Sequence, residues 1–208
     1  MGSRGKRLLP LLTLGLLLFT SCISEEVNLS LDRDGSGVCG ITYTIPRALI
    51  ETETMEEPPD FEHPDPLLPV PLSREAIEQD LEEHPGLTLR SYNAEETDEH
   101  IIVRMELGFS SVEALDAWLA RGGQGVRREG NSLIITLYTP EEAEFDEDTR
   151  AFIEAFFGEY TVSWQVRVPA RLSSWEPGEQ VDARTARLVL TVSDIVQNKA
   201  PTTWKVSW

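Results

Sequence analysis

The sequence contains few of the residues that build metal sites. Two cysteines and three histidines occur among 208 residues. The histidines, His63, His84 and His100, are not at the spacing of helical zinc ligands or of an H-E-x-x-H motif. The sequence therefore predicts that no metal ion is bound.

Motifs of the common cofactor-dependent and hydrolytic enzymes are also missing. There is no glycine-rich phosphate-binding loop, no dinucleotide-binding glycine run and no G-x-S-x-G sequence. These absences predict a protein that has no cofactor and is not an enzyme. A catalytic site assembled in space from distant residues stays open as an alternative.

Positive charge is scarce as well. The chain has 18 Lys and Arg against 36 Asp and Glu, a formal net charge of −18. Such an acidic protein is repelled by nucleic acids and by anionic bilayer surfaces. We therefore expect no nucleic-acid partner, and we expect neutral, cationic or apolar ligands.

Apolar runs long enough to cross a membrane are absent. The longest apolar run lies near the N-terminus. It extends from Leu8 to Phe19 and follows the basic residues Arg4, Lys6 and Arg7. About 12 residues are too few for a transmembrane helix, which needs roughly 20. A short apolar run after a basic segment is typical of a cleaved secretory signal.

The segment from Leu18 to Cys22 resembles a bacterial lipobox, in which signal peptidase II cleaves before a diacylglyceryl-modified cysteine. This predicts a signal peptide over residues 1–21 and lipid attachment, including palmitate, at Cys22. Ordinary cleavage nearby is the alternative. Two or three acyl chains make membrane attachment effectively permanent. The protein is then extracytoplasmic and anchored to a bacterial envelope membrane, with the inner and outer membranes both open.

The second cysteine would have no intramolecular partner if Cys22 is acylated. Cys39 is then either a buried small hydrophobic residue or a reactive thiol. A buried position is predicted, because Cys39 alternates with Ile41 and Tyr43.

The chain after the cysteine is long enough for one domain with its own core. We predict a short lipidated tether over 22–26, reaching roughly 15 Å at about 3.5 Å per residue, and a single domain over 27–208. Alternation from Val27 predicts a strand, and residues 32–37 (DRDGSG) predict a hairpin turn. The same run has acids at two calcium-loop positions, but its twelfth position is Tyr43 instead of the glutamate that an EF-hand requires.

An acidic, proline-rich loop is predicted near residues 56–72, either as a solvated surface loop or as a ligand that docks a partner. Ser73 is a predicted helix N-cap. A hairpin follows, with strands at residues 87–92 and 101–109 around an acidic turn at 95–99. Ser110 with Glu113 then predicts a capping box for a second helix that ends at Gly122-Gly123.

The hairpin-helix pattern recurs in the second half of the chain. Further strands are predicted at residues 125–128, 133–138, 160–168, 187–192 and 204–208. The sequence therefore predicts an α+β fold with a largely antiparallel sheet, built from repeated β-hairpin–helix units, with helices packed on one face.

Large apolar residues at helical or strand spacing are usually core residues, and sometimes they line a binding face. A pocket between the sheet and its helices is predicted to be lined by Leu115, Trp118, Leu119, Phe145, Phe152, Phe156 and Trp164.

With its lipobox, its opening Val27–Asp32 strand, its repeated hairpin-helix units and its Trp164–Pro169 strand, the chain resembles the LppM-type bacterial lipoproteins. The resemblance spans the chain after Cys22 and implies a non-enzymatic envelope lipoprotein with a connection to lipid or glycolipid. We expect a binding module for a neutral lipid, a glycolipid or an envelope protein partner. A purely structural envelope protein is the alternative.

Overall fold

The computed structural model describes residues 24–47, 73–138, 158, 160–196 and 201–208. Several sequence predictions lie outside these residues. They are the signal peptide with Cys22, the proline-rich loop near 56–72, and Phe145, Phe152 and Phe156.

The first two strands form the predicted hairpin, with β1 at Ser24–Leu31 and β2 at Gly37–Pro46. β1 begins three residues before Val27, where the domain was expected to start. In the turn, the Asp34 carboxylate accepts hydrogen bonds from the backbone N–H and the hydroxyl of Ser36, at 3.0 and 2.7 Å. Gly35 has a φ of 94°, a conformation that favours glycine. The 32–37 run is therefore a hairpin turn.

Helix α1, Arg74–Glu82, begins where Ser73 predicts it. The Ser73 hydroxyl accepts a hydrogen bond from the Ala76 N–H at 3.1 Å, and Ile77 and Leu81 are buried. The hairpin that follows consists of β3, Leu87–Glu96, and β4, His100–Phe109. β3 is four residues longer than predicted, because its last residues pair with β4 although they bury no apolar side chain.

Helix α2, Val112–Leu119, begins one residue later than the capping-box pattern indicated. Its N-cap is Ser111, whose hydroxyl accepts a hydrogen bond from the Ala114 N–H at 3.2 Å. The prediction of Ser110 was wrong, because the Ser110 N–H donates to the Gly86 carbonyl and ends the preceding hairpin. A 3-10 turn, Ala120–Gly122, continues α2 and ends at Gly123, which has a φ of 69°.

The remaining elements complete two sheets. They are β5 Gly125–Glu129, β6 Ser132–Tyr138, β7 Thr161–Arg167, β8 Glu179–Asp182, β9 Thr185–Thr191, the short helix α3 Val192–Val196, and β10 Thr202–Ser207. In the described part of the chain, seven strands form a larger sheet in the order β3-β4-β2-β1-β7-β9-β8, and β10-β6-β5 form a smaller one. Neighbouring strands are antiparallel except for β1 and β7, which are parallel.

The core lies on one face of the larger sheet. Inward side chains of its strands are buried in one cluster with α1, α2 and the smaller sheet. The outward face is polar, and there Gln165 donates to Asn28 at 3.3 Å and Arg104 pairs with Glu95 at 3.2 Å. This arrangement confirms the predicted α+β fold with a largely antiparallel sheet. None of the described helices is long and apolar enough to cross a bilayer.

Candidate functional site

The strands of the larger sheet begin or finish at two opposite ends of the sheet. The end at which β1 begins is called the Ser24 edge, although β1 itself is the middle strand. Ser24 lies opposite Thr44 of β2 on one side and Thr161 of β7 on the other. Strand directions bring the ends of β2, β3 and β9 and the starts of β4 and β7 to this same edge. The Ser24 edge is thus the end of the fold next to the predicted lipid attachment at Cys22.

A glutamate occupies a core position one row in from this edge. Glu25 precedes Val27 and Leu29 on the inward face of β1, and it is 9% exposed. Its neighbours across the strands are Tyr43 of β2 and Val162 of β7. Buried carboxyl groups are rare and need hydrogen-bond partners or an ion pair.

Two neutral side chains hold the Glu25 carboxyl. The Gln124 amide nitrogen donates to both carboxyl oxygens, at 3.2 Å to Oε1 and 3.0 Å to Oε2. The Tyr43 hydroxyl donates to Oε1 at 3.3 Å. Gln124 reaches this position because Gly123 turns the chain after α2, and the Gln124 N–H then bonds to the Leu119 carbonyl at 3.3 Å. We call Glu25, Tyr43 and Gln124 the Glu25 cluster.

The Glu25 cluster has no positive charge. No described Lys, Arg or His side chain forms an ion pair with Glu25. Burial therefore dominates and raises the pKa of the Glu25 carboxyl from 4.5 to about 7, against the opposing effect of the hydrogen bonds from Gln124 and Tyr43. Near neutral pH the carboxyl changes between its neutral and charged forms.

The Glu25 carboxyl affects two titratable side chains of β2, Cys39 and Tyr43. Burial, with the nearby Glu25 charge, raises the pKa of the Cys39 thiol to about 12. The same two causes raise the pKa of Tyr43 well above its usual value. Both groups are neutral at physiological pH. Cys39 is fully buried, as predicted, and a protonated thiol is a poor nucleophile.

Unlike the Glu25 oxygens, two buried polar atoms of the described residues have no hydrogen-bond partner. These atoms are Trp164 Nε1 and Thr202 Oγ1. Trp164 lies on β7 opposite Val27, one inward row beyond Glu25. Its side chain is fully buried. Thr202 begins β10, an outer strand of the smaller sheet that pairs with β6. Groups of this kind are uncommon in folded proteins, and each calls for an explanation.

The predicted pocket residues that the structure describes are core residues. Leu115, Trp118 and Leu119 of α2 are 0–4% exposed, and Trp164 joins the same hydrophobic cluster. The Trp118 indole N–H donates to Asp80 of α1 at 2.6 Å. α2 and β7 therefore contribute to one apolar layer that continues to the Glu25 cluster.

The sequence prediction did not include the Glu25 cluster. One signal could have indicated Glu25, because the alternation of Val27, Leu29 and Leu31 extends back by two residues to place Glu25 on the same face. No comparable signal exists for Gln124, whose position depends on the turn at Gly123. Within the described ranges, no three His, Cys, Asp or Glu side chains come together as metal ligands.

The Glu25 cluster contains both donors and acceptors of hydrogen bonds. A carboxyl group near its titration point, a phenol and an amide converge at the end of an apolar layer. Ligand sites commonly combine an apolar lining with a few convergent polar groups, and one of those groups often has a perturbed pKa.

The chain was compared with protein families, curated proteins and solved structures, and structural likenesses were found only among the solved structures. No protein-family model matches the chain, and no curated protein matches it. Among solved structures, the chain is similar to the folded domain of the LppM protein from Mycobacterium tuberculosis, determined by NMR. The match covers 92% of each chain, with 13% sequence identity and a TM-score of 0.45. The matched protein is of the type that the sequence resembles.

Proposed function

We propose that the protein is a lipid-anchored lipoprotein of the bacterial envelope whose domain binds a neutral lipid or glycolipid without catalysing a reaction. In this proposal residues 1–21 are removed and Cys22 carries the diacylglyceryl group. The domain lies outside the cytoplasm, next to the membrane that holds its own anchor.

The observation that carries the proposal is the position of β1. This strand begins at Ser24, two residues after Cys22, and it is the middle strand of the larger sheet. Two residues span about 7 Å at most, at roughly 3.5 Å per residue. An acyl anchor on Cys22 would therefore hold the Ser24 edge at the bilayer surface.

The same edge has the groups that a ligand would need. The apolar layer between the sheets leads to the Glu25 cluster, which is one row from the Ser24 edge. A lipid leaving the bilayer would meet this end of the domain first. The net charge of −18 disfavours anionic head groups and leaves neutral ones.

A vesicle extraction assay tests the proposal. Every described strand and the hydrophobic core lie after residue 23, so a form that lacks residues 1–22 keeps the parts that build the domain. This soluble form is incubated with phosphatidylcholine vesicles that contain diacylglycerol or a neutral glycolipid, and the vesicles are removed by centrifugation. We expect the lipid to appear in the soluble fraction in proportion to protein.

Phosphatidylglycerol is the matched anionic control, and we expect little of it to be extracted. Failure to extract any lipid would refute the binding function. It would favour an envelope protein that binds a protein partner or is purely structural.

A further inference from the structure

Two buried polar side chains near the Ser24 edge, Glu25 and Trp164, lack a partner of complementary charge or hydrogen-bonding type among the described residues. Glu25 receives three hydrogen bonds but faces no described cation, while the Trp164 indole N–H has no acceptor among the described residues. The two side chains project from adjacent strands to the same face, one row apart. Glu25 is a buried carboxyl group that a proton or a cation could neutralise, and the Trp164 indole N–H is a buried donor that could bind an added acceptor.

We propose that the Glu25 cluster and Trp164 form the polar end of a lipid site that recognises the hydroxyl group of a neutral amphiphile and binds it together with a proton. This inference rests on the proposed lipid-binding function and assigns its recognition residues. A hydroxyl group is both donor and acceptor, so its oxygen can accept from Trp164 Nε1 or from a protonated Glu25.

The proton requirement follows from desolvation. Acyl chains placed against Glu25 would remove the remaining water from a carboxyl group that has no counter-ion. Removal of water favours the neutral carboxyl, so binding of a neutral amphiphile takes up a proton. A cationic amphiphile would act in the opposite way, because its ammonium group would stabilise the carboxylate. The direction of the pH dependence thus distinguishes the two classes of ligand.

Equilibrium binding of a fluorescent diacylglycerol to the form that lacks residues 1–22 provides the test. Because burial places the pKa of Glu25 at about 7, we expect the wild-type affinity to be about tenfold lower at about pH 8 than at about pH 6. Glu25→Gln keeps the side-chain shape without an ionisable proton. This variant should bind equally at both pH values.

Glu26→Gln is the matched control, since Glu26 is the next residue of β1 and is exposed on the outward face. It should keep the wild-type pH dependence. Trp164→Phe removes the indole donor and keeps an aromatic side chain. We expect it to weaken diacylglycerol binding by roughly fivefold at both pH values, the size of one lost hydrogen bond. The smaller ring also leaves space in the core and lowers stability, so the matching triacylglycerol, which has no hydroxyl group, is the control ligand, and its binding should be weakened less. Equal weakening for the two lipids would mean that Trp164 has a purely structural role.

The outcomes separate this inference from the proposed function. Diacylglycerol binding that does not change with pH, or that Glu25→Gln leaves pH-dependent, would overturn the inference and leave lipid binding intact. Preference for vesicles that contain a cationic alkylamine, with affinity rising with pH, would overturn it as well. No lipid binding at either pH would refute the function and the inference together.

Discussion

Replacing Glu25 with glutamine should change how the stability of the domain depends on pH. The folded protein binds the Glu25 proton more tightly than the unfolded chain, because burial raises the pKa of this carboxyl from 4.5 to about 7. Its contribution to stability is therefore greatest below about pH 4.5 and is lost as the pH rises to about 7. Each tenfold difference in proton affinity between the folded and unfolded states corresponds to about 1.4 kcal/mol, so the full change is about 3 kcal/mol.

Glu25→Gln removes this loss, because the amide cannot ionise. Relative to the wild type, the variant should gain about 3 kcal/mol of unfolding free energy between about pH 4.5 and about pH 8. Urea unfolding followed by tryptophan fluorescence at a series of pH values measures the difference. Subtracting the two curves cancels the titration of all other carboxyl groups.

Parallel stability curves for the wild type and Glu25→Gln would refute the reasoning. They would mean that the Glu25 carboxyl titrates at the same pH in the folded and unfolded states. A difference curve of the opposite sign would mean that the hydrogen bonds from Gln124 and Tyr43 outweigh burial.

Three further predictions concern other parts of the chain. Cys22→Ala should move the full-length protein from the membrane to the soluble fraction, and continued membrane association after a carbonate wash would contradict lipidation. Cys39, which is fully buried, should react with a thiol reagent only after denaturant is added, and rapid labelling of the native protein would be inconsistent with its position. Ser111→Ala should destabilise the domain by about 1 kcal/mol through loss of the α2 cap, whereas Ser110→Ala should have a smaller effect. Equal effects of the two serine substitutions in thermal unfolding would argue against Ser111 as the cap.

Strands with one buried face could be predicted from the sequence. β1, β2 and β4 alternate regularly between apolar and polar residues, and their hairpins need only local turns. Alternation shows which side chains point inward, but it does not identify the neighbouring strand. The parallel pairing of β1 with β7 joins segments more than 100 residues apart, and nothing in either strand specifies the other.

Among the described strands, β8 was not predicted from the sequence, and it is a strand with no buried side chain. All four residues of β8 are exposed, and this strand pairs with β9 alone at the end of the larger sheet. Its backbone hydrogen bonds do not depend on a hydrophobic pattern. The Glu25 cluster was missed for a related reason, because a carboxyl group at an inward position breaks the apolar pattern that marks the core.

The central place of β1 has a mechanical consequence. β1 is bonded along its length to β2 on one side and to β7 on the other. A force applied to the start of β1 along the strand axis would load both ladders of hydrogen bonds at once, in shear. An edge strand such as β8 would carry the same load on a single ladder. A tether at the start of β1 would thus pull on a strand that is held on both sides.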